Sequence, residues 1–488
     1  MTTIGDILYN VVALVLMINV VLAAIVVFYE RRNPASTWAW LFVLFFIPTF
    51  GFILYLIIGR NSAKQKRFAD KTKNDYDILF GYVNNNENLR QEVEKQCFSY
   101  DGIALGEEYK YLKDFAMLNI NSGSWLTYNN KMQHFIDGDK KFQSLINDIR
   151  SASKFIHLEY YILRDDDLGK QIVEELTKKA SEGVEVRVLY DYMGNLFLAK
   201  NFYEKLRKMG GQAIPFVAPR FLNLNCQNHR KIVVIDGKIG YVGGFNIGDE
   251  YLGKVKRFGF WRDTHVRFEG DVVDQLQLRF FMDWNYASQR KLFINDCYFP
   301  PKKNTGYLPA QIVCSGPDTQ WRNVKNSYFK MINEAEKTVL IETPYFAPDD
   351  GVLNALKVAA LSGIDVRIII PGRPDHPFVY WASMSYLGEL LDVGVKCYQY
   401  ETGFIHSKTL FIDGIAGTVG TANMDIRSFS LNFEVNAFIY EPETVQRLEA
   451  DFYNDLKECT EITREWYNSR GKLFRFKEAI SRLISPMI

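Results

Sequence analysis

The chain has 488 residues, of which 48% are hydrophobic and 24% charged, so a short disulfide-stapled module and a disordered or collagen-like chain are excluded. Its 58 Lys and Arg residues nearly balance its 57 Asp and Glu residues, which argues against nucleic acid as the main partner. The six cysteines lie far apart without zinc-ligand spacing, so we expect reduced thiols and neither a structural metal nor another cofactor.

Two uncharged runs near the N-terminus, residues 7–28 and 38–58, are each long enough to cross a hydrocarbon layer of about 30 Å as a helix. The short connection contains Arg31, Arg32 and the turn-forming Asn33-Pro34. Residues 1–60 are therefore predicted to form a transmembrane helical hairpin that remains attached to the chain. The alternative is that one or both segments lie in the membrane interface or pack in a core.

The cations beside these runs predict the orientation of the hairpin. Two lie in the connecting turn, and six follow the second run. These six are Arg60, Lys64, Lys66, Arg67, Lys71 and Lys73. We therefore expect everything after residue 60 to face the cytoplasm. Residues 61–125 are polar with little regular periodicity, and we interpret them as a connecting segment with some helix.

From residue 126 onward, one sequence pattern occurs twice. Each copy begins with an amphipathic helix whose apolar residues recur at helical spacing. These residues are Phe142, Leu145, Ile146 and Ile149 in the first copy and Val324, Tyr328, Met331 and Ile332 in the second. Strands follow, and the alternation of strands and helices predicts an α/β sheet in each half. We place the two domains at residues 126–300 and 301–488.

The closest correspondence between the copies begins at His229 and at His406. Counted from each His, the same residue recurs at positions +2, +6, +7, +8, +13, +14 and +17. The residues at these positions are Lys, Ile, Asp, Gly, Val, Gly and Asn. Eight identities without a gap indicate a duplicated fold whose halves pair across a pseudo-two-fold axis.

The spacing within each motif assigns faces to its side chains. His and Lys two residues apart point to the same face of a strand, whereas Asp at +7 points to the opposite face. Asp236 and Asp413 each begin an Asp-Gly turn, so we expect them to hold the strand and turn in place. The pairs Gly243-Gly244 and Gly420-Thr421 are expected to leave room for a bulky group.

If the halves meet at these strands, one pocket contains two imidazoles, two ammonium groups and two amides. The residues are His229, His406, Lys231, Lys408, Asn246 and Asn423. This set suits phosphodiester transfer, in which one His attacks phosphorus while the other protonates the departing alkoxide. The lysines and asparagines would stabilise charge on the non-bridging oxygens. We expect a covalent phosphohistidine formed without a metal or a nucleotide.

Each imidazole needs a carboxylate that fixes its tautomer. Alignment of the two copies places Asp263 and Glu434 at one equivalent position. We predict that each acts within its own half, Asp263 on His229 and Glu434 on His406. Glu159 and Glu342 are also equivalent, and we assign them only to the floor of the site.

The pattern H-x-K-x4-D, followed by G-G-x-N or G-T-x-N and present twice, resembles the HKD motif of the phospholipase D superfamily across roughly residues 126–440. The N-terminal apolar runs, the Arg31-Arg-Asn-Pro-Ala-Ser turn and Trp261-Arg-Asp-Thr-His resemble bacterial cardiolipin synthases in particular. The resemblance implies two tandem phospholipase D-like α/β domains that form a pseudo-two-fold pair behind the hairpin. It also implies a multi-pass protein of the bacterial inner membrane.

The resemblance further implies that two phosphatidylglycerol molecules are joined with release of glycerol. The matching catalytic positions are His229, Lys231, Asp236, His406, Lys408 and Asp413, with Asn246 and Asn423 at the substrate. By analogy His229 is the nucleophile and His406 the acid/base. A phospholipase D or another phosphatidyltransferase with a different headgroup would share every motif, and a nuclease or an inactive scaffold is less favoured. The sequence leaves the oligomeric state open, a homo-oligomer included.

Two further segments have two readings each. The apolar residues of 221–224 either face lipid acyl chains or pack in a core. The final segment, from Leu473 to Ile484, is predicted to form an amphipathic helix with interspersed cations. It either lies on an anionic membrane surface or docks onto the body.

Overall fold

A computed structural model describes residues 4–28, 34–47, 50–51, 55, 61–98, 103, 105, 110–216, 226–290, 292 and 295–485. The chain divides into an N-terminal unit that ends at Lys73 and a body that begins at Asn74. Residues 221–224, for which lipid contact and core packing were both considered, lie outside the described residues.

The N-terminal unit contains two apolar helices, α1 (Ile4–Phe28) and α2 (Pro34–Phe46). The stretch Tyr9–Phe28 of α1 is long and apolar enough to cross a membrane, and the apolar part of α2 is shorter. The two helices pack together, and the Asn19 amide donates a hydrogen bond to the Leu44 carbonyl at 3.1 Å. Residues 29–33 and much of the second predicted span lie outside the described residues, so the complete hairpin stays a prediction.

The predicted connecting segment is more helical than its pattern indicated. Its helices are α3 (Asn61–Asn85), α4 (Glu87–Phe98) and α5 (Lys110–Asn121). Apolar residues from the last turns of α3, together with Leu89 and Val93 of α4, pack around Trp125 in the body. The Ser327 hydroxyl holds helix α5 in place by donating a hydrogen bond to the side-chain oxygen Oδ1 of Asn119 at 2.6 Å. The part of the segment from Asn74 onward thus belongs to the packed body.

The first half of the body is built on a seven-stranded sheet with the strand order β1-β8-β6-β5-β2-β3-β4. Its strands are β1 (Asn130–Phe135), β2 (Phe155–Tyr160), β3 (Glu185–Asp191), β4 (Gln212–Phe216), β5 (Ile232–Ile235), β6 (Ile239–Gly243) and β8 (His265–Gly270), with β7 (Phe260–Arg262) outside the sheet. Its helices are α6 (Gly138–Ser151), α7 (Asp167–Ser181), α8 (Glu204–Lys208) and α9 (Val272–Ser288). Every residue of β2 is buried, as expected for a strand covered on both faces.

The second half repeats this order in an eight-stranded sheet, β9-β18-β16-β15-β10-β12-β13, with β19 added at the edge. Its strands are β9 (Ala310–Ser315), β10 (Thr338–Glu342), β12 (Asp365–Pro371), β13 (Lys396–Tyr400), β15 (Thr409–Ile412), β16 (Ala416–Gly420), β18 (Glu434–Ile439) and β19 (Cys459–Glu461). Short strands β11 (Phe346–Ala347), β14 (Gly403–Ile405) and β17 (Met424–Asp425) lie outside this sheet. The helices are α10 (Asn323–Glu334), α11 (Asp350–Leu361), α12 (Pro377–Leu391), α13 (Ile426–Ser430), α14 (Pro442–Leu456), α15 (Arg464–Ser469) and α16 (Lys472–Ile484).

One hydrophobic cluster lies between the two sheets and contains residues of both halves. Ile232 and Val266 of the first sheet pack in the same cluster as Leu340 and Val435 of the second. The backbones also pair across the junction, because β7 runs parallel to β14 and Asn228 forms a parallel bridge with Phe433. These two pairings occupy equivalent positions in the repeats. The predicted α/β fold with a pseudo-two-fold pair of halves is confirmed.

Candidate active site

The two histidines lie at the junction between the halves, directly before β5 and β15. The backbone N–H of His229 donates to the carbonyl of Phe433 at 3.0 Å, and that of His406 donates to the carbonyl of Arg262 at 2.7 Å. Each His is therefore positioned by backbone from the opposite half. Both rings are almost buried, with 10% and 9% of their side-chain surface exposed.

The carboxylates pair with the imidazoles across the axis. His229 Nδ1 lies 3.0 Å from Glu434 Oε2, and His406 Nδ1 lies 2.6 Å from Asp263 Oδ2. The predicted pairing within each half is wrong, although both residues contact an imidazole. The reason is the crossed backbone pairing, which places the residue before each His beside the residue before the other half's carboxylate. The exchange of carboxylates between the halves could have been predicted from the pseudo-two-fold axis that the repeats indicated.

These hydrogen bonds determine which nitrogen of each imidazole carries the proton. A carboxylate acceptor holds the proton on Nδ1, which leaves Nε2 with its lone pair. Burial lowers the pKa of His229 to about 4 and lowers that of His406 well below its usual value. The charge of His229 is itself among those that act on the pKa of His406, so the two imidazoles share one electrostatic environment.

The two lysines lie beside the histidines of their own motifs. Lys231 Nζ donates to the carbonyl of His229 at 2.7 Å, and Lys408 Nζ donates to that of His406. Burial lowers the pKa of Lys231 to about 7 and that of Lys408 to about 8, against the attraction of Glu434 and Asp263. The charge of Lys408 also lowers the pKa of Lys231, so the two lysine side chains share one electrostatic environment.

Glu434 and Asp263 accept hydrogen bonds from different groups of the protein. The Thr421 hydroxyl donates to Glu434, whereas the equivalent Gly244 has no side chain. A Cβ at Gly244 would overlap the carboxylate of Asp263, which instead accepts from the Thr264 amide at 2.7 Å. The space expected to admit a bulky substrate group is thus occupied by Asp263 on one side. On the other side, a Cβ at Gly420 would overlap the side chain of Asn436.

Asp236 and Asp413 stabilise turns and contact neither imidazole. Asp236 accepts from the backbone amides of Ser153, Lys154 and Phe155 at 2.8 to 2.9 Å, and Asp413 accepts from three equivalent amides before β10. Both adopt positive φ, 53° and 56°. These contacts are those expected of residues that hold the strand and turn in place.

The two asparagines have unequal surroundings. Asn246 accepts from the Ile162 amide and donates to the Tyr251 hydroxyl, each at 3.2 Å, so its side chain stabilises the protein around the site. Asn423 is buried, and its Oδ1 has no hydrogen-bond partner among the described residues. The structure thus gives Asn246 a positioning role that the sequence did not indicate.

Two arginines next to His229 and Asp263 in the chain form buried ion pairs. Arg230 binds Asp283 at 2.5 Å, and Arg262 binds Asp455 at 2.6 Å and lies 3.7 Å from Glu342. The sequence reasoning missed both arginines, although each lies directly beside a predicted site residue. Their buried charges connect the His and carboxylate strands to helices α9 and α14.

Glu159 and Glu342 lie in this buried layer. Glu159 accepts from the Asn228 amide at 2.6 Å, next to His229, and Glu342 accepts from the Thr409 hydroxyl at 3.0 Å. Burial and the neighbouring Asp283 raise the pKa of Glu159 to about 8. Both therefore belong to the layer behind the imidazoles. Within the described ranges, no three His, Cys, Asp or Glu residues are arranged to hold a metal ion.

Known proteins match this chain over nearly its whole length. The family described as cardiolipin synthase, PLD-like domain matches residues 145–280 and 328–456, and the family described as Phospholipase_D-nuclease N-terminal matches residues 17–60. A cardiolipin synthase of Listeria innocua is 48% identical over 480 residues, which cover 97% of this chain and 98% of the relative. A protein of Staphylococcus epidermidis named cardiolipin synthase 2 is 47% identical, with coverage of 97% and 96%.

A solved structure supports the fold independently. Phosphatidylserine synthase of Haemophilus influenzae superposes with a TM-score of 0.58 at 15% sequence identity, and the match covers 73% of this chain and 95% of that one. At this identity the likeness concerns the fold alone.

Proposed function

The chain belongs to the cardiolipin synthase family of the phospholipase D superfamily and is a membrane-associated phosphatidyltransferase with phospholipid substrates, and from this premise we propose that it joins two phosphatidylglycerol molecules into cardiolipin and releases glycerol. The observation that carries the proposal is the crossed pair of hydrogen bonds, His229 to Glu434 and His406 to Asp263. It supplies two oriented imidazoles at one junction, which transfer in two steps requires.

In the first step, His229 Nε2 attacks the phosphorus of one phosphatidylglycerol. The bond from nitrogen to phosphorus forms while the bond to the glycerol oxygen breaks, and His406 gives its proton to that oxygen. Glycerol leaves, and the phosphatidyl group remains on His229. Glu434 stabilises the positive ring through Nδ1–H, and Lys231 and Lys408 stabilise the negative non-bridging oxygens.

In the second step, a terminal hydroxyl of another phosphatidylglycerol attacks the same phosphorus. His406 accepts the hydroxyl proton, the bond to His229 breaks, and cardiolipin leaves. Before substrate arrives His406 is neutral, and the charge of the bound phosphate favours uptake of one proton from solvent at its Nε2. This is the proton that His406 gives to the glycerol oxygen in the first step and regains from the attacking hydroxyl in the second. The Asp263 carboxylate accepts from Nδ1–H and stabilises the protonated ring.

The proposal is tested with purified full-length protein and phosphatidylglycerol as the sole lipid. We expect cardiolipin and glycerol in equal amounts, and none from a His229→Ala variant expressed at the same level. Phosphatidic acid and glycerol in place of cardiolipin would indicate a phospholipase D. Product formed only with another headgroup would indicate a different phosphatidyltransferase, and no product with any lipid would indicate an inactive scaffold.

We propose that both N-terminal apolar runs span the bacterial inner membrane and that the body faces the cytoplasm. The excess of cations after residue 60 supports this orientation. In inside-out vesicles, a C-terminal tag should be digested by added protease. A protected tag would reverse the orientation.

A further inference from the structure

Helix α16 presents its apolar face to solvent and its polar face to the protein. Leu473, Phe476, Ile480 and Leu483 are 68%, 64%, 40% and 77% exposed. Their spacing places them in one stripe along the helix, which we call the apolar stripe. The buried residues of the same helix are Glu478 and Ser481. A helix that docks to complete a core has the opposite arrangement.

Polar contacts fix this orientation. Glu478 forms a largely buried ion pair with Arg470. The Ser485 hydroxyl lies 3.1 Å from the Tyr386 hydroxyl of α12, and Arg482 pairs with Glu389 of the same helix. Rotation of α16 to bury the apolar stripe would leave buried charges without partners. The stripe is therefore held outward by the fold.

The surroundings of the stripe have the composition of a membrane-interface helix. Lys472 and Arg475 are exposed at its beginning, and Lys477 lies 4.7 Å from the centre of the Trp381 ring. Phe378, on the first turn of α12, is half exposed and contacts Trp381. Apolar side chains flanked by cations and aromatic rings suit the region between acyl chains and anionic headgroups. A second copy of the chain would instead bring like charges together.

The helix on which α16 docks begins beside the active site. Helix α12, on which α16 docks, begins directly after Asp375 and His376. Asp375 binds the Tyr345 hydroxyl, and its charge opposes the effect of burial on the pKa of His406. The beginning of α12 is thus close to the imidazoles.

We propose that the apolar stripe of α16, together with Phe378, inserts into the interface of an anionic lipid bilayer and holds the beginning of α12, beside the active site, close to headgroup level. This contact is separate from the predicted transmembrane segments and does not depend on the proposed reaction. It resolves the two readings of the C-terminal helix, because the polar face docks on the body while the apolar face remains available to lipid.

The test uses full-length protein in nanodiscs whose lipids carry brominated acyl chains. An environment-sensitive fluorescent amino acid replaces Ile480 or, as a matched control, Tyr307, which is 82% exposed. We expect bromine quenching at position 480 to be at least about threefold stronger than at position 307. The difference should grow when phosphatidylglycerol is added to zwitterionic lipid and shrink at high salt.

A double variant, Phe476→Ser with Leu483→Ser, should lose the quenching at position 480 while its melting temperature in detergent is unchanged. Equal quenching at positions 480 and 307, or quenching retained in the double variant, would overturn the proposal. A spectral shift that depends on protein concentration in detergent would assign the stripe to a second copy instead. Because quenching needs no turnover, a chain without activity that is still quenched would overturn only the proposed function.

Discussion

At the scale of single residues, the site depends on which carboxylate reaches which imidazole. The sequence predicted His229, His406 and their two carboxylates from aligned repeats. It paired each carboxylate with the imidazole of its own half. Alignment of the repeats shows which residues are equivalent but not which residues are close in space. The backbone bonds from His229 to Phe433 and from His406 to Arg262 exchange the partners.

The crossed pairing predicts how Glu434 and His229 depend on each other. Glu434→Gln should slow phosphohistidine formation by about 10² to 10⁴ fold, because the ring loses its orientation and its stabilising charge. In nitrogen NMR spectra, the Nδ1–H signal of His229 should change in Glu434→Gln and stay unchanged in the matched variant Asp263→Asn. A His229 signal that responds to Asp263→Asn instead would contradict the crossed arrangement.

The lowered pKa values of the lysines predict the pH dependence of catalysis. Ammonium groups are needed to bind the anionic phosphate, and Lys231 loses its proton as pH rises through about 7, followed by Lys408 at about 8. We expect kcat/KM, which reports the free enzyme, to fall across this range. In the Lys408→Gln variant, the residual kcat/KM should no longer decrease near pH 8. A kcat/KM that keeps rising to pH 9 would contradict this.

At the scale of secondary-structure elements, alternating and continuous apolar patterns predicted the strands and the helices that begin each repeat. The helical connection of residues 61–125 was less predictable, because in α3 only the last turns carry apolar residues that contact the body. Helix α5, in contrast, buries Leu112, Phe115 and Ile120 in a cluster with residues of the second half. The docking direction of α16 was also beyond pattern analysis, since it depends on the ion pair between Arg470 and Glu478.

The turn before β2 makes a testable contribution to stability. Asp236→Ala removes an acceptor of three amide hydrogen bonds at a positive φ, and should lower the free energy of unfolding by about 2 to 3 kcal/mol. Asp236→Asn keeps the backbone conformation and should cost less. Denaturant unfolding in detergent measures both. The rate per folded molecule should change little, and a large loss of rate at unchanged stability would instead place Asp236 in the chemistry.

The same turn predicts an acid effect. Burial raises the pKa of Asp236, but the amides of Phe155, Ser153 and Lys154 outweigh it, so the pKa in the folded state is lowered. Its contribution is therefore present above the unfolded pKa of about 3.9 and is lost as pH falls through the lower folded value. The stability difference between wild type and Asp236→Ala should shrink below about pH 4.

At the scale of the whole molecule, duplication produced two copies of one motif, a separate hydrophobic cluster in each half and one further cluster shared between the two sheets. The strand order is the same in both halves, and the equivalent pairings of β7 with β14 and of Asn228 with Phe433 connect them. A sequence can indicate this symmetry through repeats. It cannot indicate which strand edges meet, because that depends on long-range packing.

Because each chain contains both imidazoles, a complete site requires only one chain. Mixed His229→Ala and His406→Ala chains should therefore recover less than about 1% of wild-type activity, since neither chain contains both imidazoles. Cardiolipin formation in a mixture prepared by co-expression measures this. Recovery of a substantial fraction would show that sites are shared between chains.

An experimental structure of the full chain with vanadate bound would test directly whether His229 and His406 flank one substrate phosphorus. We expect a single vanadium centre bonded to Nε2 of His229, with Nε2 of His406 within hydrogen-bond distance of the oxygen on the opposite side. Vanadate held by one imidazole while the other faces a separate cavity would contradict the account.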